Sequence, residues 1–169
     1  MRVYCAATQT AAAQALGEGE LGPAPVTGFA VTAALRSWYL DDDAEELEYA
    51  AFTEAARGSL RLLDADPLAS RRRLVISADV PEEFVTQRPE LDRAVVRVSV
   101  PVLTQWWACV HIDSANATSA IAAAAAAVIP ADLGDTDSQF VVDSALGHEL
   151  EWYDASELNE LLEPSGKLK

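Results

Sequence analysis

Apolar and polar residues alternate from Arg73 to Val80, with Leu74, Ile76, Ala78 and Val80 on one side and Val75, Ser77 and Asp79 on the other. The same period of two runs from Ala94 to Val100, where Val96, Val98 and Val100 oppose Arg97 and Ser99. It returns at Trp107 to Asp113, placing Ala108, Val110 and Ile112 on one face and Trp107, Cys109, His111 and Asp113 on the other. Each run reads as a strand with one face covered. Between Asp43 and Pro67 the period lengthens to that of a helix: Tyr49, Phe52, Ala56, Leu60 and Leu63 form an apolar stripe, widened by Leu47, Ala51, Ala55 and Leu62. A stripe this wide predicts core packing rather than a ligand groove. Asp43 and Glu46 have the spacing of a capping box at its start, and Pro67 ends it.

The remaining elements follow from weaker signals. Arg2 to Ala7 reads as a first strand, followed by a short alanine-rich helix capped by Thr8 and closed by Gly17 and Gly19. The prolines of GELGPAPV exclude regular pairing there. Gly28 to Thr32 predicts a short strand, with Thr32 capping a helix through Trp38 and Tyr39. After Asp113 come an alanine-rich helix, an acidic turn at Gly134 to Asp137 and a helix over Ser138 to Leu146. Glu149 to Tyr153 reads as a last strand, and Asp154 and Glu157 box a final helix reaching Leu162. Strands and helices in this order predict an α/β domain, a mixed sheet of about five or six strands covered by helices. One domain over residues 1–163 and a frayed tail over 164–169 are expected, since no linker or repeat divides the chain.

Charge narrows the function. Asp and Glu outnumber Lys and Arg 27 to 12, for a net charge of −15. Such a surface repels phosphate, which excludes nucleic acid and anionic membrane as partners and leaves a protein partner or a small ligand. The one basic block, Arg71-Arg72-Arg73, is expected to pair with acids of its own surface. Cys5 and Cys109 each lie in an apolar run with no close partner in sequence, as small buried hydrophobes do. The N-terminus has no apolar run typical of a secretion signal, so a cytoplasmic location is expected. Ser114 to Ala131 is uncharged and long enough to span a bilayer, but alanine dominates it, so a helix packed on the core is expected instead. Ten arginines against two lysines, with abundant alanine, suggest a GC-rich bacterial genome.

His111 and Asp113 are the leading site candidates. Two apart on a strand, they share a face, so an imidazole and a carboxylate project together. They could hold a metal, form a base with its orienting group or bind a polar ligand. The structural alternative packs His111 against Trp107 or a helix and uses Asp113 to cap the alanine-rich helix. His148 and Glu149, at the start of the last strand, would approach His111 if that strand lies beside Trp107 to Asp113. No HExxH, cysteine cluster or calcium-loop pattern occurs, so no metal and no cofactor are expected. Trp106 and Trp107 would face opposite sides of a strand, leaving one free for ligand or partner contact. No P-loop or GxSxG is found, and both lysines lie in the last three residues.

The segments GELGPAPVTGFAVTAALRSWY, EELEYAAFTEAARGSLRLL, RRRLVISADV and QFVVDSALGHELEWYDASEL together resemble a small family of uncharacterised actinobacterial proteins, a domain of unknown function. The resemblance implies an intracellular, single-domain bacterial protein and carries no activity or site residue. The expected function is therefore a non-catalytic binding or accessory protein that recognises a protein partner or small ligand through one sheet face. The alternative is a small hydrolase or isomerase with a His111/Asp113 centre assisted by His148 or Glu149. Apolar strand edges could also pair copies into a homo-oligomer.

Overall fold

A computed structural model describes residues 1–162. The predicted strands become β1 (Arg2–Ala7), β3 (Val26–Phe29, earlier in the chain than the expected Gly28 to Thr32), β4 (Leu74–Asp79), β6 (Val95–Val98), β8 (Trp107–Asp113) and β9 (Leu150–Asp154). With the short β5 (Val85–Gln87) they form one seven-stranded sheet in the order β5-β6-β3-β1-β4-β8-β9. Every ladder in it is antiparallel. The α/β class and helix-covered sheet are as expected. The rule that places ligands at the carboxyl ends of parallel strands does not apply to this sheet. The proline-rich segment does pair: β2 (Glu20–Leu21) joins β7 (Val102–Leu103) in a small second ladder.

Alternation assigns the two faces. On the first, Val3, Cys5, Ala7, Leu74, Ile76, Ala78, Val96, Val98, Val110 and Ile112 form a dry core. It is covered by Ala12 and Ala15 of α1 (Gln9–Glu18), and by Leu158 at the start of the short α6 (Leu158–Leu161). Thr8 caps α1 as expected, but the helix runs through Gly17 and ends at Gly19, whose φ of 83° is a left-handed conformation that favours glycine. Gly28 is needed for close approach: a Cβ there would collide with the Val3 side chain.

The second face lies under α2 (Ala33–Trp38) and the long α3 (Ala44–Ala65), through Leu35, Leu47, Ala51 and Ala55 against Tyr4, Phe29, Val75 and Val95. Asp43 caps α3 by accepting from the Glu45 and Glu46 backbone N–H groups. Ser59 ties the helix to the sheet, donating to the Ala7 carbonyl at 2.9 Å and accepting from Leu74 N–H at 3.1 Å. Outside α3, α4 (Thr118–Asp132) and α5 (Thr136–Ser144) pack on Leu60 and Leu63 through Ile121, Ala124, Ala125, Val128 and Val142. No helix among the described residues is long and apolar enough to cross a membrane. The tail expected over 164–169 lies outside the described residues.

Two pattern readings are corrected. Tyr49 and Leu62 belong to the α3 stripe by spacing, yet Tyr49 is 64% and Leu62 41% exposed. The buried arc of α3 is carried instead by Leu47, Ala51, Ala55, Ala56, Leu60 and Leu63. On β8, Cys109 pairs with Ser77 while Trp107 pairs with Ala78, so Ala108 is an extra residue in the ladder. This bulge turns Trp107 to the first face, into the core with Val110 and Ile112, away from His111. Trp106 lies in a 3-10 turn rather than a strand and stacks on Phe84 at 6.0 Å.

Candidate functional site

Antiparallel register arranges the second face as a grid. Arg2 sits opposite Asp79; Tyr4, Ser77 and Cys109 share the next row; Ala6, Val75, His111 and Trp152 form the third. Above the grid, Glu45, Glu48, Tyr49, Phe52 and Ala56 recur at helical spacing along one flank of α3. The segment from Leu146 to Leu150 lines one side. The result is a cleft of about 470 Å³ bounded by α3, β1, β4, β8 and β9.

Its floor is polar but unsatisfied. Ser77 is 1% exposed, and its Oγ has no hydrogen-bond partner among the described residues. His111 Nδ1 is likewise buried and unpartnered. The His111 ring meets Phe52 nearly edge-on at 4.7 Å, and Phe52 in turn meets Tyr4 at 6.0 Å. Burial lowers the His111 pKa below its ordinary value and favours the neutral imidazole. Burial, and secondarily the Glu48 charge, raises that of Tyr4. Glu45, Glu48, Tyr49, Glu149 and Trp152 surround the mouth.

Arg73 and Asp113 build the closing side. Asp113 Oδ2 accepts from Arg73 N–H at 2.7 Å and from Nε at 2.8 Å, while Oδ1 accepts from Nη2 at 2.8 Å. The side chains are 3% and 0% exposed. The same Nη2 donates to the carbonyls of His148 at 2.7 Å and Ala145 at 3.3 Å. The buried guanidinium thus pins the turn after α5 to the sheet and delivers His148 and Glu149 to the cleft. Arg72 adds a bond to the Asp113 carbonyl, and Arg71 donates to the carbonyls of Leu63 and Asp66 at the end of α3. The arginine block is a joint within the fold rather than an anion grip.

Of the residues singled out in the sequence, His111, His148 and Glu149 line one cleft. Asp113 does not reach it and neither pairs with His111 nor caps α4, because its carboxylate is held by Arg73. Trp107 lies across the sheet. The His111–Asp113 dyad required for base catalysis is therefore not formed. Sequence reasoning passed over Ser77, Tyr4, Phe52 and Glu48. The available signal was a serine on a strand face otherwise buried, and it becomes visible once β4 is registered against β8. Among the described residues, no three His, Cys, Asp or Glu side chains are grouped to hold a metal ion.

No curated protein sequence and no solved structure matched the chain. One family did, over residues 1–162, spanning the whole sheet and every element that lines the cleft. By that match the chain belongs to DUF6912, a family of unknown function.

Proposed function

We propose that the protein is a non-catalytic binding protein that holds a small ligand in the cleft between α3 and the sheet. The observation that carries this reading is the pair of buried, unpartnered polar atoms on its floor, Ser77 Oγ and His111 Nδ1. Buried polar groups in folded proteins nearly always find a partner, because an unmade bond costs about 1–3 kcal/mol. Here the two orphans share one aromatic-walled cleft, whose volume suits a small organic molecule. Binding without catalysis fits the histidine, which lacks an orienting carboxylate. His148 and Glu149 are assigned to the rim, and Trp107 and Asp113 to the scaffold. The net charge argues against nucleic acid. Two free, buried cysteines suit a cytoplasmic protein, and the arginine and alanine bias suits an actinobacterial one.

The test is a thermal-melting screen of metabolites against the native chain and the Ser77→Ala and His111→Asn variants. A ligand at about 100 times its Kd adds about 2.7 kcal/mol, a rise of roughly 5–10 °C for a domain of this size. Hits that stabilise the native chain and lose that effect in both variants support the reading. Hits that stabilise all three proteins equally place binding elsewhere and defeat it.

A further inference from the structure

Building on the cleft reading, we infer that the ligand is a small organic ammonium ion, a primary amine on an aromatic or branched apolar body. A count of charges around the cleft leads there. Both arginines that line it are already answered within the fold. Arg2 donates to Asp79 at 2.7 and 3.2 Å, and Arg73 is consumed by Asp113 and two carbonyls. The three glutamates on its rim, Glu45, Glu48 and Glu149, enter no ion pair among the described residues. Glu45 lies in the first turn of α3 and faces the helix's positive end. Glu48 and Glu149 have no such counterpart. A carboxylate or phosphate ligand would enter against these charges, whereas a cation is drawn in.

Glutamates alone would not define a site. The independent observation is Ser77, 1% exposed, with an unpartnered Oγ in the floor of the same cleft. A hydroxyl and a neutral imidazole each offer a lone pair, and a primary ammonium carries three N–H donors. A quaternary ammonium would leave those acceptors unmade. The aromatic side chains of Tyr4, Phe52, Tyr49 and Trp152 line the same cleft and suit cation–π contact and an apolar body. A bare divalent ion is disfavoured, because the carboxylates ring the mouth without converging into a coordination group.

The experiment is NMR titration of the isotope-labelled full chain with three matched probes: 2-phenylethylamine, 2-phenylethanol and 3-phenylpropionate. Shifts are read at the Ser77 amide and the His111 imidazole, at low ionic strength. The amine should bind about tenfold more tightly than the alcohol, and the acid most weakly. In the Glu48→Gln/Glu149→Gln variant, where both substitutions are at exposed positions, the amine should fall to the affinity of the alcohol. If the alcohol or the acid binds as well as the amine, the ammonium inference is overturned while the cleft remains a ligand site. If the amine binds equally to the variant, the inference is likewise overturned. If millimolar concentrations of all three leave both resonances unmoved, the cleft reading falls and the inference with it.

Discussion

His111 is half-buried against Phe52, and its Nδ1 is buried with no hydrogen-bond partner among the described residues. Desolvation penalises the charged ring, so the folded-state pKa lies below the ordinary value, about 6.5 in an unfolded chain. As pH falls, the unfolded chain takes up this proton first. The stability contributed by neutral His111 is complete above about pH 6.5 and drains away below it, toward the folded-state value. The melting temperature of the native chain should therefore fall more steeply than that of His111→Asn on going from about pH 7 to about pH 5. Other titrations are common to both proteins and subtract out. Arg2 and Arg61 hold Asp79 and Asp132 below the usual carboxylate range, so both lose their contribution at lower pH. Burial raises Glu54, which acts in the opposite direction. The charges facing the cleft, from Arg2, Arg73, Glu45, Glu48, His148 and Glu149, are also present in both proteins. Parallel pH profiles would show that His111 titrates as a solvent-exposed ring does.

At the scale of elements, Arg73 and Asp113 join four pieces of chain: the start of β4, the end of β8, the turn after α5 and, through that turn, the start of β9. Removing one partner leaves the other buried and unanswered. Asp113→Ala should cost about 3–5 kcal/mol in urea denaturation, and Arg73→Met/Asp113→Leu considerably less, because replacing both charges removes the orphan as well as the pair. A single variant as mild as the double one would mean that water already reaches the pair. This joint also shows why the site was only partly legible in the sequence. Local signals located α3 and the extent of β8, since period and capping depend on near neighbours. The partner of Asp113 lies forty residues upstream, and only the β4–β8 register brings the two together. Trp107 was misplaced by the bulge at Ala108, which a strict alternation cannot foresee. Tyr49 was misplaced because it lies at the open mouth of the cleft rather than against the sheet, and no feature of the helix itself announces that opening.

For the whole molecule, a charge of −15 acts on stability and on binding with opposite signs. Excess carboxylates repel one another in the compact state and less so in an expanded chain, so screening them favours folding. The same carboxylates draw a cation toward the cleft, so screening them weakens that attraction. Raising NaCl from about 10 mM to about 150 mM shortens the screening length from about 30 Å to about 8 Å, well inside the dimensions of the domain. The melting temperature should then rise by about 2–4 °C, equivalent to about 1 kcal/mol for a chain of this length. Over the same range 2-phenylethylamine should bind less tightly while 2-phenylethanol holds its affinity, because only the amine depends on the rim charges. KCl should reproduce both effects, as an ionic-strength mechanism requires. A melting temperature that stays flat or falls with salt would show that the surface acids are already balanced locally, as the Arg57–Asp132 and Arg61–Asp132 pairs balance theirs. Amine binding that tightens with salt would point to burial of the aromatic ring, rather than the glutamates, as the source of affinity.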